Sequence, residues 1–565
     1  MRGNLKRLTR SYLSPIAAVL ACTTFAVMGL APPAQAPPAQ ASSPAAPPLT
    51  VGISAAGPFT RNFNPFVSGS FANDFDVMYE PLLYFDYANP EHTKIVPWLA
   101  SSYQWKPGNR TVVVDLRRNL TWSSGKPLTS VDVVFTYELL KKYPVLDLNG
   151  DWSVLQSVQA VGPYGVSFTF KHVDVPYLYF VAGETPIVPE YIWSTVAKPA
   201  TWINPDPVGS GPYELASFNP ELVTFARNPS YWGPKPAAPT LWFPTFTSNT
   251  PADLAMTKGQ IDWAGYYFPN AKRDFVARNP GHFFYPLMAS NNFMALYPND
   301  AVAPTSSVTF RQALYYAINR AEVGRIGESG EPPASPTSIL TPAPEYIVGE
   351  ARSLTYPYDP TKAISLLKSL GYKVVNGRVM TPSGAPLTLS ITVPSSFTDW
   401  VADAQVIKSD LGKVGIGVTL DLLSPSAVFS DQALGKFQLT LNGGTYGPTP
   451  WYQFYYDYSS ATSAPLGKPA SYNYERFNNP LMNSLIAKYA TTTDPAAQTR
   501  LIQEMGLLSA KLLPILPLCQ MFNAALLTTL HYTGWPTPGN PYAQASPYFY
   551  PDNLMVLLHI RPTGP

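Results

Sequence analysis

The chain has 565 residues, 46% of them hydrophobic and only 13% charged, about half the usual share of roughly 25%. That length exceeds one compact core and implies two or three lobes. The formal charge of +2 rests on Arg2, Lys6, Arg7 and Arg10; setting these four aside leaves 34 basic against 36 acidic residues, which excludes the basic footprint of a nucleic-acid binder. With 62 Pro and 35 Tyr, the surface must be covered by Ser, Thr, Asn, Tyr and Pro, a composition suited to a harsh outside, an acidic one included.

The N-terminus has a basic start, an apolar stretch from Leu13 to Leu30 and small-residue sites at Ala34-Gln35-Ala36 and Ala39-Gln40-Ala41. Residues 1–36 are therefore predicted to be a signal peptide and 37–48 an Ala/Pro/Ser-rich linker, with export to the periplasm or the outer face of the cytoplasmic membrane. Val19-Leu20-Ala21-Cys22 also fits a lipobox, in which Cys22 would be lipidated; both readings stand. Cys22 and Cys519 are the only cysteines, so no disulfide framework is expected, and Cys519 reads as a buried small hydrophobe.

Folding starts with a strand at LTVGIS, from Leu49, followed by Asn62 to Phe66 and a helix-like stretch from Asp74 to Leu83. Thr111 to Leu116 is a β-branched run that predicts a strand, and Ser123-Ser124-Gly125 a turn. Thr129 or Ser130 caps a helix with Val131, Val134, Phe135 and Leu139 at helical spacing, Asp132 at its positive end and Lys141 and Lys142 at its negative end. Gly165 to Lys171 is another strand. In FRQALYYAINR, Phe310, Ala313, Leu314, Ala317 and Ile318 make a clean apolar stripe. Asp359-Pro360 opens a helix that ends at Gly371-Tyr372. Strands at Leu387 to Val393 and Val418 to Leu423 flank a helix at Asp403 to Leu411, a βαβ-like unit.

Several stretches together resemble one family. They are Leu116-Arg117, Trp122-Ser123-Ser124-Gly125-Lys126-Pro127-Leu128-Thr129 and Asp132-Val133-Val134-Phe135; Gly209-Ser210-Gly211-Pro212-Tyr213; Arg227-Asn228-Pro229-Ser230-Tyr231-Trp232; and Arg311, Ala313, Leu314, Ala317, Ile318 and Arg320. Asn64-Pro65, Glu80-Pro81-Leu82 and Gly259-Gln260-Ile261-Asp262 add to them. The pattern is similar to extracytoplasmic substrate-binding proteins of ABC importers, the peptide and nickel class called solute-binding family 5. The resemblance implies an α/β two-lobe periplasmic-binding-protein fold of type II, cluster C-like, with an extra subdomain. Lobe I would comprise 49–82, 206–294 and 520–565, the extra subdomain 83–205 and lobe II 295–519, with the chain crossing between lobes near 294 and 519. It further implies a small-molecule ligand in a cleft between the lobes, an ABC permease with its ATPase subunits as partner, a monomer, and membrane association only through the permease or a lipid anchor.

No H-E-x-x-H, C-x-x-C, G-x-S-x-G or P-loop is present, so an enzyme is not expected; a secreted hydrolase is the rival from another class. No cofactor is expected, and the scattered His92, His172, His282, His531 and His559 lack metal-ligand spacing. The pair Asp74 and Asp76 reads as a solvated face. The segment Asn442 to Ser460 stands out, with glycines that expose amides and the rings of Tyr446, Trp451, Tyr452, Phe454, Tyr455 and Tyr456, either a packed hairpin or a ligand surface. With the cleft positions implied by the resemblance, the candidate ligand contacts are Asn64, Phe66, Phe71, Tyr266, Tyr267, Asn292, Gly443, Gly444, Thr445, Tyr446, Trp451 and Gln520. Peptide-binding members of the family carry an aspartate near this segment that pairs with the peptide amine; here Thr445, Tyr446 and Gly447 stand there, and Asp457 is the nearest alternative acid. The family favours a peptide of the di- or oligopeptide class, and the aromatic faces favour a neutral cello-oligosaccharide-like ligand held by stacking.

Overall fold

A computed structural model describes residues 46–565 apart from 54–56, 68, 87–93, 329, 341–343, 445–446 and 565. The signal, the linker up to residue 45 and Cys22 thus lie outside the described residues. Three larger sheets organise the rest. A seven-stranded sheet is built around Leu49–Gly52, which pairs in parallel with both Thr240–Pro244 and Trp263–Ala264. A four-stranded antiparallel sheet holds Ala100–Trp105, Thr111–Leu116, Leu155–Val161 and Gly165–Phe170. A five-stranded sheet runs in the order Gly417–Leu423, Thr388–Pro394, Leu439–Gly443, Leu287–Pro298, Leu516–Ala524.

The seven- and five-stranded sheets share a ribbon. Phe283–Phe284 and Leu526–Thr528 pair in the first, and their direct continuations Leu287–Pro298 and Leu516–Ala524 pair in the second. The chain therefore changes sheet twice, between Phe284 and Leu287 and between Ala524 and Leu526, at neighbouring places in space. The sequence put these crossings near 294 and 519, inside the strands that continue the ribbon.

The helix Ser130–Lys142 forms as its residues dictate: Thr129 and Asp132 make a reciprocal capping box, and Asp132 Oδ1 also accepts from the Glu190 amide at 3.0 Å. The stripe of Val308–Ala317 is buried as predicted. Its Arg311 pairs with Asp300 at 2.9 Å and donates to the Leu512, Leu513 and Thr305 carbonyls, fastening the helix to the chain that leads into the ribbon. Arg320 fastens the next helix to the Thr355 and Tyr356 carbonyls, both at 2.7 Å. The βαβ unit is present, with its helix starting earlier, at Thr398–Lys413.

The motif residues of the other sheets also act as clamps. Glu80 is buried and accepts from Trp98 Nε1 at 2.8 Å, Tyr231 Oη at 3.1 Å and Trp232 Nε1 at 3.0 Å, so one carboxyl ties its own motif to the Tyr231-Trp232 motif and to the strand end at Trp98. Burial pushes it up to about 7. A side chain at Gly211 would meet the Val77 carbonyl at 2.7 Å, which is why the Gly-x-Gly turn can press on the segment before Glu80. That segment corrects an expectation. Asp74 to Leu83 is not a helix: a short helix, Phe71–Asp74, gives way to buried irregular chain and then to the strand Leu83–Asp86.

Candidate ligand cleft

A cavity of about 640 Å³ lies where the three sheet regions converge, within the usual size of a ligand pocket. Its walls are Phe66 and Asp76 from the chain after the first strand, Asp147, Asp151 and Glu184 from the four-stranded region, Phe429, Tyr472 and Tyr474 from the five-stranded region, and Tyr548 and Tyr550 from the C-terminal chain. Asn64 fixes the first of these. Its Nδ2 donates to the Pro199 and Trp202 carbonyls at 3.0 and 2.8 Å, and its Oδ1 accepts from the Phe66 amide at 3.0 Å. The Phe66 ring then stands edge-on to Trp193, with centroids 5.5 Å apart.

The acids are held by their own chain. Asp76 Oδ1 accepts from the Met78 and Tyr79 amides at 2.7 and 3.1 Å, and burial still pushes the group up to about 8. This corrects its reading as part of a solvated face, since Asp76 is buried; nothing is described of the Asp74 side chain. Asp147 receives the amides of Asp151 and Trp152 at 2.8 and 3.0 Å and so caps the turn Asp151–Val154. Asp151 Oδ2 accepts from the Thr185 hydroxyl at 2.7 Å, while its buried Oδ1 has no hydrogen-bond partner among the described residues. Burial, then the neighbouring Asp147 charge, push Asp151 well up. Burial, with Asp552 nearby, pushes Glu184 up to about 8. Among the described residues no Lys, Arg or His lines the cavity. Near neutral pH Asp76 and Glu184 keep a proton and offer hydrogen-bond donors as well as acceptors beside aromatic faces.

Of the residues singled out in the sequence, Phe66 lines this cavity. Asn64 is fully buried and acts by shaping the turn that presents Phe66. Phe71 lies in the core against Phe59, Phe225 and Phe243. Tyr266 is buried, with its hydroxyl on the Ala252 carbonyl at 2.9 Å; Tyr267 is half-buried. Asn292, Gly443, Gly444 and Gln520 come together on the five-stranded sheet, where Phe293 pairs with Gln520 and Met294 with Gly443. The Gly444 amide donates to the Phe293 carbonyl at 2.8 Å, and a Cβ there would press on the Phe293 ring at 2.7 Å. Thr445 and Tyr446 lie outside the described residues.

The aromatic segment is neither a hairpin nor a wall of the cavity. It is a helix, Pro450–Tyr458. Trp451, offered as a stacking platform for ligand, is 1% exposed, with Tyr455 and Tyr489 stacked on it at 5.0 and 5.8 Å and its Nε1 on the Ile486 carbonyl at 3.0 Å. Both faces are taken. Asp457 is likewise buried, receiving Gln453 and the Tyr297 hydroxyl. The outer rings of the helix meet the four-stranded region instead: Tyr452 Oη donates to the Pro176 carbonyl at 2.7 Å, Tyr455 Oη to Tyr177 Oη at 3.2 Å, and the Tyr452 ring crosses Tyr179 at 4.9 Å. Sequence reasoning missed Asp151, Glu184, Tyr472, Tyr548 and Tyr550; they are far apart in the chain, and only the fold unites them.

Residues 94–465 match the family model described as bacterial extracellular solute-binding proteins, family 5 Middle. The chain belongs to this family. Among curated relatives, the family 5 protein is 25% identical over 387 residues to a nickel-binding periplasmic protein of Escherichia coli (strain K12), covering 66% of this chain and 71% of that one. It is 26% identical over 429 residues to the glutathione-binding protein GsiB of Shigella flexneri serotype 5b, covering 71% and 76%. Among solved structures it is similar to an oligopeptide ABC transporter, periplasmic oligopeptide-binding protein of Thermotoga maritima with bound mannohexaose, at TM-score 0.82 and 29% identity, covering 92% of this chain and 99% of that one. The Escherichia coli and Thermotoga maritima relatives are named as periplasmic, and among the described residues no helix of the family 5 protein is long and apolar enough to cross a membrane. Among those residues no group of acids, histidines and cysteines is arranged to hold a metal ion.

Proposed function

We propose that this family 5 protein captures peptides of the di- or oligopeptide class in the cavity, leaves them chemically unchanged, and hands them to a membrane ABC permease with its ATPase subunits. The seven- and four-stranded sheets would form one lobe and the five-stranded sheet the other. The observation that carries the reading is the position of the cavity: Asp76, Glu184 and Tyr548 on one side and Phe429, Tyr472 and Tyr474 on the other contribute walls, so a bound ligand touches both lobes and favours their closing. Protonated carboxyls suit the carbonyls and amides of a peptide backbone. A second reading, a neutral oligosaccharide, is favoured by the rings of Phe66, Phe429, Tyr472 and Tyr548 in the walls and by the mannohexaose in the Thermotoga maritima relative.

Calorimetry with tri-alanine and with mannohexaose, paired with small-angle scattering, tests both. Binding of the tripeptide with a smaller radius of gyration supports the peptide reading, and binding of the sugar alone moves the assignment to the second. Turnover of either probe would overturn the binding-protein reading altogether, and mass spectrometry of co-purified ligand gives an independent answer.

A further inference from the structure

Beyond Tyr548 in the cavity wall the two lobes meet again, and there the meeting is built of carboxyls. The helix Asn249–Thr257 faces the start of Thr398–Lys413, and Asn249 Nδ2 donates to Thr398 Oγ1 at 3.1 Å. Beside this bond stand Asp253 on the first helix and Asp399 on the second. Asp403, one turn further, and Glu328 and Glu331, after the helix Arg320–Ile326, continue the acidic run. Asp403 is fully buried, and Asp399 and Glu328 nearly so. Asp253 Oδ1, Asp399 Oδ1 and Glu331 Oε2 are buried without a hydrogen-bond partner among the described residues, and the Asp403 and Glu328 carboxyls lie within hydrogen-bond reach of each other, a contact that needs a proton between them. The other titratable groups facing them are Lys272 opposite Glu331, Tyr266 near Asp253, Tyr548 near Asp399, and Tyr285 and Cys519 near Glu328 and Glu331. Lys272 offsets Glu331 and not the facing pair Asp253 and Asp399.

Carboxylates in so dry a place lose their hydration and repel one another. Burial pushes all five up, and neighbouring carboxylates add to it for Asp253, Glu328 and Asp403. Asp253 and Glu328 rise to about 8, Glu331 to about 7 and Asp399 to about 6. We propose that Asp253 and Asp399 form a proton-dependent latch across the cleft, which lets the lobes close when both are protonated and drives them apart when both are ionised. Resting on the two-lobe reading above, the latch adds a regulation of the same cleft.

Opening returns the pair towards water and so moves both back towards the ordinary value of 3.8. The closed form then holds more protons than the open one from about pH 4 up to the closed-state values, and each carboxyl releases its proton to solvent as the lobes part. Closure is favoured at the acid end and loses favour as pH rises towards about 8, by up to about tenfold in the equilibrium per proton and pH unit. Ligand held by both lobes is retained in acid and released towards neutral pH.

Small-angle scattering of the ligand-free mature chain between about pH 4 and about pH 8 reads this directly. The wild type should expand as pH rises. Asp253→Asn, at a half-buried surface of its helix, should stay compact throughout, and Asp399→Asn should reproduce that; circular dichroism checks that each variant is folded. Thr398→Val, which removes the neutral bridge and no charge, should keep the pH response. A wild-type radius that does not change with pH, or folded asparagine variants that expand like the wild type, overturns the latch. If tri-alanine or mannohexaose compacts the protein at every pH while pH alone does nothing, the latch fails and the two-lobe reading survives. If neither ligand nor pH changes the radius, the two-lobe reading fails as well.

Discussion

Where the helix Pro450–Tyr458 meets residues 176–184, the two proposed lobes are joined by rings and by hydroxyls donated to Pro176 and Tyr177. Where Asn249–Thr257 meets Thr398–Lys413, they are joined by one neutral hydrogen bond set among carboxyls. The rings of the first seam do not titrate near neutrality, because burial pushes Tyr455 up to about 12 and Tyr452 and Tyr177 well above their ordinary value; of groups that do titrate there, this seam has Glu184 and Asp174 at its edge, pushed up to about 8 and about 7. The second holds little else. The aromatic seam thus supplies adhesion and the acidic seam supplies sensitivity, so the two are separable by mutation.

The largest effect should come from Tyr452→Ala, which empties a buried site at the aromatic seam and removes the bond to Pro176. A loss of about 3–5 kcal/mol is expected in urea denaturation, and a loss below about 1 kcal/mol would mean that the seam adheres only passively. Next comes pH. An acid pushed up by folding contributes stability that is present below its unfolded value and is lost as pH rises through its folded one. Unfolding free energy should therefore fall from about pH 4 to about pH 8, and Asp399→Asn, which removes a carboxyl pushed up to about 6, should flatten the slope below about pH 6 by up to ~1.4 kcal/mol per pH unit. An unchanged slope would place the sensitivity elsewhere, the cavity acids Asp76 and Glu184 being the alternative.

Tyr455→Phe sharpens the contrast from the other side. It removes the bond to Tyr177 but keeps the ring stacked on Trp451, so stability should drop by about 1 kcal/mol with a pH profile parallel to wild type. The smallest effect belongs to Thr398→Val, about 0.5 kcal/mol in the same denaturation series, because its one bond is neutral and only partly buried.

Much of the scaffold was legible because its signals are local. The capping box of Thr129 and Asp132 lies within four residues, and the stripe from Phe310 to Ala317 repeats at the helical period. The motif residues were legible as a family pattern, but their work is architectural: Glu80, Tyr231 and Trp232 form a buried clamp behind the cavity wall rather than part of its lining. Trp451 misled because a ring's identity does not say which way it faces; its spacing of four from Tyr455 was a helical signal, and in the structure those two rings cover each other. Asp151 and Glu184 carried no signal, since what makes them notable is the burial that distant segments impose. The acidic seam was hidden for the same reason, its bridging residues being separated by 149 positions.

The ribbon shared by the two main sheets bears on what a single cut in the chain would do. Its two crossings run side by side, with Phe284 opposite Leu527 on one sheet and Leu287 opposite Ala524 on the other. A protease that nicks the chain between Phe284 and Leu287 severs one covalent link but leaves the strand ladder on both sides of the nick intact. The fragments should travel as one particle and part only in denaturant, so the molecule behaves mechanically as though its lobes were connected by a strap rather than by two threads.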